Sequence, residues 1–207
     1  MDMGLFDYEL PKGMIAQETA VPRDSSRLFH IDATRHPAVH SHLRFSDIAT
    51  LVDPGDILVL NRTRVIPARV PVLRGGGGKG EVLLLSPLEG STWDALVKGK
   101  GSREGAVLRT DDSDVAVRLN DRIEGGRYRI SFERDGHPMD PPVVRTWLDE
   151  WGLMPTPPYI KRTLSDPEEY QTVYGNVDGS VAAPTAGLHF TEELLDRLVR
   201  MGVRVKG

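Results

Sequence analysis

Three short segments in the middle of the chain alternate apolar and polar residues with a period of two. They are TWDALVK, DVAVRL and RYRISF, with the apolar residues Trp93, Ala95, Val97, Val115, Val117, Leu119, Tyr128, Ile130 and Phe132. A period of two places these side chains on one face of a strand, so each segment predicts a half-buried strand. With the apolar run GEVLLLSP and the Gly, Asp and Asn turns between the runs, they predict four or five antiparallel strands in a small sheet or barrel. We assign this β unit to residues 72–136.

The sequence on either side of the β unit follows a different pattern. ILVLN is a short apolar strand candidate, and helices are predicted around Val143–Trp151 and after Thr191, whose side chain can cap the second helix. In that helix we expect an apolar stripe formed by Leu194, Leu195, Leu198 and Val199. The last residues, VRVKG, are typical of the start of another strand, so we expect either a fragment or an edge strand that a partner completes. These flanks predict a layered α/β or α+β unit.

Composition excludes several classes of protein. The 207 residues contain no cysteine, which excludes a disulfide framework, a thiolate zinc site and a cysteine nucleophile. No apolar run has the length of a membrane span, and the first residues lack a basic region followed by a long apolar core. A cytoplasmic protein of bacterial type is the simplest interpretation.

Charge leaves RNA binding open. The net charge of −4 gives no footprint for nucleic acid over the whole chain, but a local basic patch can still bind RNA. The basic residues cluster at three places: Arg62, Arg64 and Arg69; Lys98, Lys100 and Arg103; and Lys161 and Arg162. Each cluster is compatible with RNA contact or with an ordinary solvated surface.

Two patterns that suggest ligand sites are incomplete. His40 and His42 share one face of a strand, close to His36, but no further side chain at a suitable spacing completes a metal site, so surface histidines are favoured. RGGGGKGE superficially resembles a phosphate-binding loop, but it lacks the Ser or Thr after the lysine and the helix that should follow.

Four other segments carry candidate binding residues, each with a plain structural alternative. RDSSRL offers Arg23, Asp24 and Arg27, or only a turn capped by Asp24. Asn61, Thr63 and Arg64 follow an apolar strand, where α/β proteins bind ligands, or form a charged loop. Tyr159, Tyr170 and Tyr174 can stack on bases while Lys161 and Arg162 meet phosphates, or are half-buried tyrosines. His189 precedes a helix N-terminus, where a neutral imidazole can act as a base or hydrogen-bond donor, or is structural.

Taken together, these segments resemble one family, the S-adenosylmethionine:tRNA ribosyltransferase-isomerases of queuosine synthesis. The matching segments are FDYELP, RDSSRL, HLRFSDI, DPGDILVLNRTRVIPAR, GEVLLLSPLE, WDALVK, PPYIKR, YQTVYG and AAPTAGLHFTEELL. They follow the family's order over nearly the whole chain, and NRTRVIPAR with YQTVY and APTAGLHFT is the specific combination. The resemblance implies a small antiparallel β-barrel domain (72–136) inserted into a discontinuous α/β domain formed by residues 1–71 and 137–207.

The resemblance also implies a reaction. The ribosyl group of S-adenosylmethionine, a co-substrate, is transferred and isomerised onto 7-aminomethyl-7-deazaguanine at the wobble position of tRNA, which forms epoxyqueuosine and releases adenine and methionine. No metal is implied. His189 becomes the candidate for proton transfer. The residues expected to bind cofactor or tRNA are Arg23, Asp24, Arg27, Asn61, Thr63, Arg64, Tyr159, Lys161, Arg162, Tyr170, Gln171, Tyr174, Pro184, Thr185, Ala186, Gly187 and Phe190.

Two departures from the family's pattern leave alternatives open. Family members commonly have Asp where this chain has Arg62, and family chains continue past the last helix into a strand and a further segment of the site. If the polypeptide ends at Gly207, part of the pocket and of the sheet is missing. The alternatives are a shortened non-catalytic relative that binds tRNA or another partner, and a paralogue that uses S-adenosylmethionine on a small molecule. A monomer is favoured.

Overall fold

Two compact units make up the chain in the computed structural model, which describes residues 2–99 and 102–207. Unit 1 comprises Met1–Leu60, Thr156–Glu169 and Thr185–Gly207, and unit 2 comprises Asn61–Pro155 and Tyr170–Pro184. Lys100, a member of one predicted basic cluster, lies outside the described residues.

The strands and helices are short. In chain order the strands are β1 (Arg27–Asp32), β2 (Val39–Arg44), β3 (Ile57–Val59), β4 (Thr63–Val65), β5 (Arg69–Leu73), β6 (Lys79–Pro87), β7 (Thr92–Lys98), β8 (Val107–Arg109), β9 (Val115–Arg122), β10 (Arg127–Arg134), β11 (His137–Pro138), β12 (Val177–Ser180) and β13 (Arg204–Lys206). The α-helices are α1 (Pro141–Trp151) and α2 (Glu192–Arg200). Short 3₁₀ helices occupy Met3–Phe6, Lys12–Met14, Arg23–Ser25, Phe45–Thr50, Pro167–Tyr170 and Thr185–His189.

Unit 2 is built around a closed antiparallel barrel of six strands. The order β10-β7-β6-β5-β8-β9 returns to β10, because β9 and β10 also pair with each other. Closure satisfies the backbone hydrogen bonds that an open sheet would leave at its edges. The predicted barrel is therefore confirmed, and its strands run from residue 69 to residue 134. The separate domain boundaries at 72 and 136 stay a prediction.

The alternating residues fill the barrel. All nine apolar side chains of the period-two segments are buried, and Ile130, Phe132 and Leu119 are completely inaccessible to solvent. Helix α1 covers this core with Val144, Trp147 and Leu148, and the rings of Trp147 and Phe132 lie 5.4 Å apart. The core of unit 2 thus joins the barrel strands to the first helix after them.

Unit 1 contains two small sheets. Strands β1 and β2 form an antiparallel hairpin, and β13 pairs in parallel with β3. The strand predicted at the end of the sequence is therefore confirmed, and its partner is the apolar run ILV of the same chain. Thr191 caps α2 by accepting a hydrogen bond from the amide of Leu194, as predicted. The predicted apolar stripe is too wide, since Leu194 and Leu198 are buried whereas Val199 is 54% exposed.

Truncating the barrel core should destabilise unit 2 strongly. Phe132→Ala removes a fully buried ring that contacts Trp147, and we expect the free energy of unfolding to fall by about 3–5 kcal/mol. All three tryptophans belong to unit 2, so their fluorescence during urea denaturation reports this unit. The control Val107→Ala, at a half-exposed barrel position, should cost less than about 1 kcal/mol. Equal losses in the two variants would contradict this assignment of the core.

The end of α1 should tolerate only glycine. A Cβ atom at Gly152 would lie 2.1 Å from the backbone oxygen of Pro67 and 2.6 Å from that of Leu148. Gly152→Ala should therefore lower the stability of unit 2 by about 1–3 kcal/mol, because backbone must shift to make room. Gly75→Ala is the matched control, since a Cβ there meets nothing within 4 Å. Urea denaturation that gives the same midpoint for both variants would refute the close approach.

Candidate functional site

The main candidate site is a cavity of about 700 Å³ within unit 1. Its lining brings together residues that are far apart in the sequence: Arg23, Ser26, Arg27, Arg44, Glu169 and His189. We call it the His189 cavity. Of the predicted site residues, Arg23, Arg27 and His189 are among these six. Thr185, another predicted residue, also lines the cavity.

His189 is held on two sides. Its Nδ1 atom lies 2.8 Å from the hydroxyl oxygen of Ser26, and its ring packs on Phe45 at a centroid distance of 5.1 Å. Phe190 also packs on Phe45, edge to face at a centroid distance of 4.9 Å. Within the described part of the chain, Nε2 has no partner. The hydrogen bond occupies Nδ1 and leaves Nε2 for a ligand.

The local sequence explains why His189 reaches the cavity. The segment Thr185–His189 forms a 3₁₀ turn, and Thr191 then caps α2, so the histidine lies just outside the helix N-terminus. Gly187 and Phe190 are buried, whereas Ala186 is exposed. The predicted turn therefore presents Thr185 and His189 to the cavity and uses Phe190 as packing.

Three arginines give the cavity its positive wall. Arg23 donates to the backbone oxygen of Glu168 at 2.8 Å, and Arg44 donates to that of Ser25 at 2.8 Å. Arg27 lies opposite Arg44 in the hairpin. Guanidinium groups suit a carboxylate or phosphate, because their planar fork matches two oxygens of either group.

Glu169 is the carboxylate on this wall whose surroundings are best defined. It accepts a hydrogen bond from the Ser165 hydroxyl at 2.9 Å and forms an ion pair with Arg162. The bond from Ser165, followed by those from Arg162, holds the pKa of Glu169 below its usual value, against the opposing effect of burial. Arg162 also donates to the backbone oxygen of Gln17 at 3.0 Å. Arg162 thus contacts the cavity-lining residue Glu169 but does not itself line the cavity.

The neighbouring predicted residues surround Gln17. The Gln17 side chain receives the amide of Lys161 at 2.8 Å and donates to the backbone oxygen of Tyr159 at 3.1 Å. The Lys161 ammonium group bonds to the backbone oxygen of Pro158, and the Tyr159 side chain is exposed. The Gln17 side chain therefore holds the backbone of the PPYIKR segment in place. Neither Lys161 nor Tyr159 lines the cavity, and their binding roles stay predictions.

The remaining predicted residues lie in unit 2. Asn61 accepts from the amide and the hydroxyl of Thr63 at 2.9 and 2.7 Å, which forms a turn into β4. Arg64 is on β4, which pairs in parallel with β12. Tyr170 and Pro184 are half-buried parts of the same unit. Arg62 donates to the side chain of Asn176 at 3.1 Å, so the departure from the family pattern is accommodated by a polar contact.

Gln171 has a structural environment. Its side chain is buried and bonds to both backbone groups of Val65, accepting at 2.9 Å and donating at 2.7 Å. It therefore completes the hydrogen bonding of β4 in the way a neighbouring strand would. Burial raises the pKa of Tyr174, with an opposing hydrogen bond from Thr172.

Sequence reasoning missed Ser26 and Arg44, whereas the binding role of Asp24 stays a prediction. Ser26 lies in the quoted RDSSRL and Arg44 in HLRFSDI, but neither residue type signals a partner so distant in the chain. The turn at Arg23–Ser25 follows Pro22 with no side-chain cap, so Asp24 is not the capping residue. His40 and His42 do share one face of β2, as predicted, and both contact the ring of Phe29. Among residues 2–99 and 102–207 no group of three potential metal ligands occurs.

No helix within the described residues is long and apolar enough to cross a membrane. These features define a two-unit α/β protein with a closed antiparallel barrel and an arginine-lined cavity. The chain belongs to the family of queuosine biosynthesis proteins, whose family model matches residues 3–207. The resemblance found in the sequence is thereby confirmed.

A solved structure is also similar to this chain. It is the S-adenosylmethionine tRNA ribosyltransferase from Thermotoga maritima, with 31% sequence identity and a TM-score of 0.36. The match covers 97% of this chain and 56% of that chain. The chain therefore spans little more than half the length of this relative.

The environment of Glu169 gives a testable pH dependence. Because its folded-state pKa lies below the ordinary 4.5, the carboxylate stabilises the fold above that pH, and this contribution is lost as pH falls through the folded-state value. Ser165→Ala should raise the pKa of Glu169 towards 4.5, as measured by carbon NMR titration of the side-chain carboxyl. Ser113→Ala, which removes a hydroxyl bonded to Asp114 in unit 2, should leave it unchanged. An unchanged pKa in Ser165→Ala would contradict the assignment.

Proposed function

We propose that this chain forms part of an S-adenosylmethionine:tRNA ribosyltransferase-isomerase. The family match over residues 3–207 is the observation that carries the proposal. The solved relative, itself named for S-adenosylmethionine and tRNA, supports the choice of substrates. The reaction transfers and isomerises the ribosyl group of S-adenosylmethionine onto 7-aminomethyl-7-deazaguanine at the tRNA wobble position. It forms epoxyqueuosine, releases adenine and methionine, and belongs in the cytoplasm with its tRNA substrate.

The chemistry needs a group that moves a proton. The sulfonium of S-adenosylmethionine acidifies the adjacent ribose carbon, so a base can start the reaction and adenine can depart. Methionine leaves later, when the epoxide closes. The Nε2 atom of His189 suits the first task, because Ser26 occupies Nδ1 and Phe45 supports the ring. A positioned base of this kind typically contributes a factor of about 10²–10⁴ to the rate.

The charges on the cavity wall suit the rest of the substrates. Arg23, Arg27 and Arg44 can pair with the carboxylate of the methionine moiety or with an RNA phosphate. Glu18 places a carboxylate on the same wall, which suits the positive sulfonium or amino group of S-adenosylmethionine. The cavity thus offers both signs of charge to a co-substrate that carries both.

Replacing His189 should remove turnover without removing the fold. We expect His189→Ala to slow adenine release by about a hundred-fold or more, as measured by chromatography with tRNA that carries the precursor base. His137→Ala, at an exposed position of β11, is the matched control and should react like the wild type. Full turnover by His189→Ala would eliminate the proton-transfer role.

The same assay separates the proposed function from its alternatives. Adenine release that requires tRNA supports the ribosyltransferase. Adenine release without tRNA would indicate a paralogue that acts on a small molecule. RNA binding with no adenine release would indicate a non-catalytic relative.

A further inference from the structure

The outer face of the β1–β2 hairpin presents six side chains as three cross-strand pairs. The pairs are Arg27 with Arg44, Phe29 with His42, and Ile31 with His40. We call this surface the hairpin face. Phe29 and Ile31 are 55% and 56% exposed, so two large apolar side chains face outward from a two-stranded sheet. An exposed apolar patch of this kind is typical of a binding surface.

The charge of the hairpin face is complementary to a polyanion. None of its six side chains is a carboxylate, and two are arginines. Asp32 is the one acidic residue between positions 27 and 44, and its carboxylate is bound to Thr34 and Arg35. Within the described part of the chain, the Arg27 guanidinium has no hydrogen-bond or ion-pair partner. The hairpin face therefore combines unmatched positive charge with apolar area. This combination favours a nucleic acid as its binding partner.

The rings of the hairpin face form a cluster in which the Phe29 ring is tilted by 40° to His40 and by 50° to His42. Phe29 lies 5.5 Å from His40 and 5.2 Å from His42, measured between ring centroids. Stacking on aromatic rings accepts any base, because every base has a π-face. Successive pairs along the hairpin are separated by about 6.8 Å, two residues of a strand. Unpaired nucleotides can stack here, whereas the bases of a duplex are already stacked on each other.

The hairpin face runs directly into the His189 cavity. Arg27 and Arg44 form its first pair and also line that cavity. An RNA strand whose target base enters the cavity would therefore place a phosphate at the two arginines. The next nucleotides would reach Phe29 and His42. Enzymes that modify a base take it out of the stack, so the neighbouring nucleotides lose a stacking partner that the hairpin rings can replace.

We propose that the hairpin face binds unpaired anticodon-loop nucleotides next to the target base, with Arg27 and Arg44 on the phosphate and Phe29 and His42 under the bases. The identity of the RNA rests on the proposed function. The stacking surface itself does not depend on catalysis, so RNA binding and adenine release test the two proposals separately.

Fluorescence anisotropy of the full chain with a labelled anticodon stem–loop tests the hairpin face. Phe29→Ala and Phe29→Leu should each weaken binding about ten-fold or more, whereas Phe29→Tyr should bind like the wild type. Arg27→Gln should weaken binding and reduce the dependence of log K on log salt by about 0.7. Tyr8→Ala, which removes a 74% exposed ring outside the hairpin, is the control and should bind normally. Circular dichroism checks that each variant is folded.

Several outcomes would overturn the proposal. Wild-type protein that fails to bind the stem–loop, or Phe29→Ala that binds it normally, removes the RNA surface. If Phe29→Leu binds the stem–loop as well as Phe29→Tyr, apolar area rather than ring stacking accounts for the affinity, and the stacking role is overturned. Sedimentation that shows self-association lost in Phe29→Ala, with unchanged RNA binding, assigns the face to a second copy. If RNA binds as expected but no adenine is released, the surface stands and the proposed reaction fails.

Discussion

The hydrogen bond between Ser26 and His189 is the interaction on which the candidate site depends. It joins two positions 163 residues apart, and the Phe45 ring supports the same imidazole. Ser26 comes between the turn Arg23–Ser25 and strand β1, and His189 ends the turn before α2. This one contact therefore brings an arginine-bearing turn, the start of the hairpin and a helix N-terminus to a single cavity.

The two units are stabilised in different ways. Unit 2 has a closed barrel whose apolar core is buried and continuous, and its glycine at position 152 permits a close backbone approach. Unit 1 has short strands, short 3₁₀ helices and polar links such as the bonds around Gln17. Segments with few buried apolar contacts open more readily than packed cores. Unit 1 is therefore expected to open more readily than unit 2.

The sequence was informative wherever a local pattern determines the structure. Alternation predicted the barrel strands, and Thr191 predicted the start of α2, because both depend on neighbours in the chain. The cavity was only partly predictable. His189 and Arg27 were identified, but Ser26 was not, because a serine carries no mark of a partner so far away. The binding role expected of Gln171 stays a prediction, and the bonds of its buried side chain to Val65 are contacts that only tertiary structure reveals.

The central claim is that Ser26 holds His189 ready for a ligand, and the nitrogen NMR signals of the imidazole test it most directly. Long-range proton–nitrogen spectra of the wild type resolve the two ring nitrogens, and addition of S-adenosylmethionine should shift the Nε2 signal. Ser26→Ala should shift the Nδ1 signal, because the bond to Nδ1 is gone. Identical spectra for the two proteins, with no change on addition of S-adenosylmethionine, would contradict the account.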